Sequence, residues 1–493
     1  MPSHIEWQDW SPLAFTQASE QHKPVLLSLV TSWSDGCAAM DGTTYVHPDV
    51  ASIVHERFVA VRVDADRRPD LNERYNLGGW PSTVFLTGAG DVLCGGTYFD
   101  APDLLAMLRQ VAEAYRDRAE ELASRASRVR RDRLQPDRRD AEVRDNLQPV
   151  RDSIGRFRSV LIERFDRVHG GFGSFAKLPH PYALLFAVSL AADGDAEMGE
   201  IARVTLDRLQ LLWDTSAGGF CRYADSADWS SPASEKTLED NAALLHVLVD
   251  AALRLREPRY GEHAATLVRW IRSTMADDDR SGFFNAVSAR TIDKTMYVDR
   301  NALVVGALIR AAALFDDVWL RDLALGAFES VVAPTYKPGD GVGHVAAAGS
   351  TGALRGLLGD QLHAGLALIW AHAATGQLPY SMLAAEVLQF AVRTMWDERA
   401  GRFRDRADAD DPLLPFELNC HAACAFDRLA VLTGDRAHQE RALTILRSLE
   451  GETAERDLYA APYALAVREV LERHPPAGLE LSRVDWGLGE TEG

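Results

Sequence analysis

The 493-residue chain is long enough for two or three domains, and 47% hydrophobic residues supply ample cores. Its formal net charge of −19 argues against a nucleic-acid or anionic-membrane partner. Five cysteines, an odd and sparse set, fit a reducing cytoplasm without a disulfide framework, and no apolar run is long enough to span a bilayer.

The opening stretch, Met1 to Trp10, has no basic end followed by an apolar core, so a cytoplasmic location is expected. Ser11-Pro12 starts a short helix with Leu13, Phe15 and Ala18 available for a buried face. Lys23-Pro24 leads into VLLSLV, a buried strand. The turn Trp33-Ser34-Asp35-Gly36-Cys37 feeds a helix, and His47-Pro48-Asp49 starts another. Phe58 to Asp64 reads as a second strand, and Gly79-Trp80-Pro81-Ser82 precedes a third, TVFL. Gly88-Ala89-Gly90 is a hairpin turn into VLCGGTYF, and Asp100 caps a final helix.

This order resembles a thioredoxin fold over residues 1–125. The segments Cys37 to Met40, Val63 to Asp70, Gly78 to Leu86 and Gly95 to Phe99 look closer still to one family. They resemble the thioredoxin-like proteins of the spermatogenesis-associated protein 20 family. That resemblance implies a Cys-x-x-Cys pair at the turn, but here Ser34 holds the first position and only Cys37 remains. It also implies a cis Trp80-Pro81 bond facing Cys37. A lone thiol lacks the partner that resolves a mixed disulfide, so dithiol oxidoreduction is not expected. A helix N-terminus would lower the pKa of Cys37, while the simpler reading is an inert, partly buried thiol at a degenerate site.

Residues 126–144 form a charged linker. The Arg-, Asp- and Glu-rich run continues a helix to about Arg133 and breaks at Gln135-Pro136. A solvated helix face explains it, with basic contact to an anionic partner as the lesser alternative.

From 145 to 493 apolar residues recur at helical spacing in about twelve segments, and the loops between them alternate short and long. The long loops carry a repeat of Asp, three residues, Gly or Ser, one residue, then Phe. It occurs at Asp166–Phe172, Asp214–Phe220, Asp277–Phe283 and Asp397–Phe403, with a degenerate copy expected near Tyr336 to Val345. Asp would start a turn, Gly would take positive φ and Phe would return to the core. Six helical hairpins of this kind predict an (α/α)6 barrel. The overall class is multidomain, α/β followed by all-α.

In such a ring the even helices line the inside and begin at the long-loop end. Candidate catalytic acids at that mouth are Glu235, Asp240, Asp299 and Asp360. Candidate ligand contacts are His180, Asn241, Asn301, Gln361, Asn419, His421 and Trp229. Tyr459 borders the same mouth. A polar mouth with aromatic walls suits a small polar ligand such as a sugar. The family resemblance extends here through Phe165-Asp166, Gly170 to Gly173, Ala176 to Pro181, Glu235-Lys236, Asp240-Asn241, Asp299 to Asn301 and Asp360. It implies a domain similar to six-hairpin glycosidases and sugar 2-epimerases. The chain departs from the family at Ala233-Ser234, where His-Phe is usual, and at Arg300, where Trp is usual.

Each acid alone also has a structural explanation, because carboxylates in a helix's first turn are favoured as caps. A hydrolase needs two carboxylates across the scissile bond. An epimerase would use paired bases, with His180, His363 and His421 as candidates. Cys420 and Cys424 lie four apart with no second pair, so they read as core thiols. No metal, cofactor or protein partner is indicated. Three readings stand: a carbohydrate-active or carbohydrate-binding barrel, a monothiol redox protein acting through Cys37, Trp80 and Pro81, and a non-catalytic descendant of either.

Overall fold

The computed structural model describes residues 4–134, 147–279, 281–346, 354–409 and 411–472. It divides into two compact units, residues 1–140 and 141–493. The expected break at Gln135-Pro136 lies outside the described residues.

The first unit contains β1 (Gln8–Asp9), α1 (Pro12–Glu20), β2 (Val25–Val30), α2 (Asp35–Thr43), α3 (Pro48–Arg57) and β3 (Val59–Asp64). It continues with α4 (Pro69–Tyr75), β4 (Ser82–Leu86), β5 (Val92–Gly96) and α5 (Ala101–Leu134). The sheet order is β1-β3-β2-β4-β5, parallel between β2 and β3 and antiparallel from β2 to β4 to β5. VLLSLV is buried throughout because helices cover both faces of the sheet. Leu26, Ala60 and Phe85 pack with Val50 and Val54 of α3 and Leu104 and Leu108 of α5. Leu27, Val61 and Val84 point the other way, toward Ala14 and Ala18 of α1 and Leu71 of α4. This is the thioredoxin-like arrangement. Strand β1 and helix α4 are too short to stand out in the sequence pattern.

The second unit is a ring of twelve described helices. They are α6 (Gln148–Arg164), α7 (Pro181–Ala192), α8 (Ala196–Leu209), α9 (Leu238–Leu255), α10 (Pro258–Trp270) and α11 (Val298–Phe315). The rest are α12 (Val318–Val332), α13 (Leu358–Thr375), α14 (Leu378–Met395), α15 (Phe416–Thr433), α16 (Arg436–Leu449) and α17 (Ala461–Glu472). Helix α7 packs on α9, α9 on α11, α11 on α13, α13 on α15, α15 on α17, and α17 closes back on α7. These six form the inner ring of an (α/α)6 barrel. They are apolar nearly all round, as buried helices must be. The outer helices carry one buried stripe each, as Ala442, Ile445, Leu446 and Leu449 do on α16.

Hydrogen bonds define the repeat. Asp166 accepts from the N–H groups of Val168 and His169 at 2.8 and 3.0 Å, and Asp214 and Asp397 turn their loops in the same way. Gly171 and Gly219 have φ of +72° and +81°, and a Cβ there would stand about 2.4–2.5 Å from the rings of Trp229 and Trp270. In three of the four full copies a side-chain amide at the start of the next inner helix then clasps the backbone of the closing residue. Asn301 accepts from Phe283 N–H at 2.8 Å and donates to Phe283 C=O at 3.0 Å and Tyr297 C=O at 2.9 Å. Asn241 clasps Phe220 and Asn419 clasps Phe403 identically. The degenerate copy uses a longer amide, with Gln361 holding Val342.

Breaking one clasp orphans a buried N–H and C=O, at about 1–3 kcal/mol each. Asn419→Ala is therefore expected to lose more than about 2 kcal/mol in urea unfolding. A second expectation concerns Asp166. Lys177, itself fully buried, and two loop N–H groups overcome burial and hold this carboxyl at about 2. A depressed carboxyl stabilises the fold above its unfolded pKa and loses that contribution as pH falls. The stability gap between wild type and Asp166→Asn should be about 2 kcal/mol above pH ~4 and shrink toward pH ~2, as followed by pH-dependent urea melts.

Candidate functional site

The clasps change the reading of four residues. Asn241, Asn301, Gln361 and Asn419 are at most 1% exposed, and their amides are spent on loop backbone, so they hold the mouth together rather than contact a ligand. Trp229 is also corrected: it is fully buried and its indole N–H donates to His169 C=O at 3.2 Å.

The four candidate acids fall into two groups. Asp240, in the first turn of α9, accepts from Thr237 and from Arg222 Nε at 3.0 Å. Burial works against the Arg222 charge, but Asp240, Glu235 and Glu239 together hold its pKa above the usual value. Asp299 opens α11 and Asp360 opens α13, and these two meet at His344, which comes from the loop before α13. Their ligand-type atoms all lie within 4.8 Å of one another. His344 Nδ1 stands 2.9 and 3.2 Å from the two Asp360 oxygens. Burial, with Asp299 adding to it, pushes the Asp360 carboxyl up. Burial also opposes the Asp299 charge, yet His344, Arg300 and His363 outweigh it and hold that carboxyl down.

Arg300 joins the two groups. Its backbone N–H donates to Asp299 at 2.8 Å, while its guanidinium reaches Asn285 at 2.5 Å, lies over the Tyr297 ring and stands 3.6 Å from Glu239. On the other side, His363 Nε2 and His421 Nδ1 are 3.2 Å apart. Burial pushes both imidazoles down, His421 to about 3 with His363 and Arg428 adding to the effect. The Tyr182 ring lies 5.5 Å from that of His421, and its hydroxyl, pushed up by burial, bonds Glu417 and senses Glu239. Polar groups thus pass from α9 through α11, α13 and α15 to α7 and back to α9.

His180 sits in the left-handed region at the start of α7, edge-on to Phe172 and Tyr459, and burial pushes it down to about 4. Tyr182, Glu239, Arg300, His344 and Glu417 were absent from the sequence-derived candidates. Glu239, Arg300 and Glu417 had a usable signal, being polar residues in the first turn of an inner helix. His344 had none, since it lies in the degenerate loop.

In the first unit, Ser34 stands where a second cysteine would and caps α2, accepting from Cys37 N–H. Its hydroxyl also donates to Trp80 C=O at 3.3 Å, and Trp80-Pro81 is cis. Cys37 lines a cleft of about 410 Å³ together with Trp7, Thr31, Asp41, Arg62 and Asp64. Its thiol is not activated. Burial raises its pKa more than Thr31, Ser34 and Arg62 lower it, which reverses the expectation from the helix N-terminus.

Residues 1–134 match a family model described as "Protein of unknown function, DUF255" and labelled Thioredox_DsbH. Spermatogenesis-associated protein 20 of Mus musculus is 28% identical over 309 residues, covering 58% of this chain and 39% of that protein. The chain is similar to spermatogenesis-associated protein 20 over that span. The matches span less than two fifths of the curated relatives' length. Among solved structures, a D-mannose isomerase superposes with a TM-score of 0.56 at 13% identity, covering 67% of this chain and 99% of that one. A cellobiose 2-epimerase from Bacillus thermoamylovorans B4167 gives 0.54 at 10% identity, covering 66% of this chain and all of that one. At such identities the likeness is one of fold, the six-hairpin barrel.

Because only the thiolate is nucleophilic, Cys37 is expected to react with iodoacetamide at pH 7 more slowly than a free cysteine peptide. Mass spectrometry of timed digests measures this, and a rate equal to the peptide's would overturn the account of its environment.

Proposed function

We propose that the helical unit binds a small carbohydrate-like ligand at the inner-helix mouth and moves a proton on it, in the manner of an isomerase or epimerase. The observation that carries this reading is the His363–His421 pair, one buried and one partly buried imidazole 3.2 Å apart, both held below the usual imidazole pKa, within a ring of polar groups. A neutral imidazole can take a proton from the carbon beside a sugar carbonyl, and a second can return it. Asp299 acts favourably on a charged His363, so the imidazolium formed in such a step has a counter-charge nearby. Tyr182, Glu417, Glu239 and Arg300 offer donors and acceptors for sugar hydroxyls. The fold shared with a D-mannose isomerase and a cellobiose 2-epimerase is in keeping with this class of ligand.

Hydrolysis by Asp299 and Asp360 is less well supported. A glycosidase pair needs the scissile bond between its carboxyls, at about 5–5.5 Å for retention or 6.5–9.5 Å for inversion. Here His344 is bonded against Asp360, and both are 1% exposed. The monothiol reading gains no support from a Cys37 thiol held protonated by burial.

The test is a panel of aldoses and ketoses against the full chain. A productive sugar at a hundredfold excess over its Kd should add about 2.7 kcal/mol to stability, visible by thermal shift. In D2O its C2 proton should exchange, and His363→Asn and His421→Asn should each slow that exchange by about 10²–10⁴-fold. Stabilisation without exchange would reduce the proposal to binding alone. A panel that leaves the melting curve unmoved would end it.

A further inference from the structure

Several carboxylates elsewhere in the helical unit meet a lysine or arginine. Asp250 pairs with Arg310, Glu469 with Arg428 and the loop Asp214 with buried Lys236. Asp299 and Asp360 differ. Among the described residues no lysine or arginine side chain forms an ion pair with either, and the group between them is an imidazole. Two carboxylates and one imidazole, each offering one atom within 4.8 Å of the others, make a donor set of mixed oxygen and nitrogen type. First-row divalent ions hold such donors at roughly 2.0–2.2 Å, so opposed donors would close by a few tenths of an ångström.

A second observation points to the same place. His363 follows Asp360 by one helical turn on the same side of α13, and it is 8% exposed. Its Nε2 faces His421, but its Nδ1 is buried without a hydrogen-bond partner. A buried polar atom without a partner calls for an explanation, and a missing water or ion is a common one. The charge of Asp299 is felt at His363, so the two are close in space. The His344 imidazole packs against the Tyr297 ring with centroids 4.9 Å apart.

We propose that Asp299, His344 and Asp360 bind one divalent cation of the Mn2+ or Zn2+ class, with His363 Nδ1 bonded to a water on the ion. The two carboxylates neutralise the ion's charge, and Asp299 is the partly buried one of the three ligands. This departs from the sequence reading, in which no metal ligand set was visible, because His344 lies in an irregular loop outside any ligand-spacing motif. The site goes beyond the carbohydrate reading and does not require it.

Isothermal titration of the EDTA-stripped full chain with MnCl2, and separately ZnCl2, tests the proposal without any sugar present. One ion per chain is expected, with Mn2+ also giving a bound electron paramagnetic resonance signal. Asp299→Asn and Asp360→Asn should each weaken binding at least about tenfold, and His363→Gln by about tenfold as an outer-shell change. Should buried Asp360→Asn fail to fold, Asp299→Asn at the mouth carries the test on its own. Absence of stoichiometric binding of either ion, or unchanged affinity in Asp299→Asn, overturns the site. Neither result touches the sugar panel, which is read by melting and exchange in metal-free buffer.

Discussion

The helical unit depends on the amide clasps that tie four of its five repeat loops to the helices that follow them. A long loop returning to a barrel mouth carries backbone N–H and C=O groups that cannot be left buried and unpaired. Asn241, Asn301, Gln361 and Asn419 answer this with one side chain each, accepting from and donating to the same loop residue. Each also bonds the carbonyl four residues back, so the clasp doubles as the start of the helix. Phe220, Phe283 and Phe403 are thereby seated in the core. The residues beside each clasp, Asp240, Arg300 and Asp360 among them, inherit a fixed place at the mouth.

Below the mouth the barrel interior is polar yet largely compensated. Arg310 bonds Asp250 and approaches His246 Nδ1 at 2.7 Å, and Arg428 grips Glu469 with two bonds at 2.6 and 2.9 Å. Both guanidiniums lie against Trp370. Burial and the neighbouring Arg428 bring Arg310 down to about 9, which still leaves it charged at neutral pH. Against this background the Asp299–His344–Asp360 group stands out, because its two carboxyls are driven in opposite directions by one shared environment. Groups pushed apart in this way are what acid–base chemistry or ion binding uses.

The thioredoxin-like unit shows how one substitution changes the chemistry of a turn without changing its shape. Ser34 keeps the cap on α2 and the bond to Trp80 C=O beside cis Pro81. What is lost is the second sulfur, and burial then leaves Cys37 as an unactivated thiol. Fold and site are separable here, as they are in the barrel, whose architecture is shared with sugar isomerases and epimerases at very low identity.

Local pattern alone determined the helices other than α4, the order of strands β2 to β5 and the Asp-to-Phe repeat, since periodicity and turn chemistry are properties of neighbouring residues. Those same features implied a closed ring and the end at which its polar groups would gather. The division of labour at that end was decided by tertiary structure. Asn and Asp both open inner helices in the sequence, yet packing spends Asn301 on loop backbone and leaves Asp299, two residues earlier, partly buried beside His344. The direction of each pKa depends on burial and on charges brought in from distant segments, as His344 and Arg300 are brought to Asp299. Spacing along a chain carries no record of such encounters, because they exist only once the ring has closed.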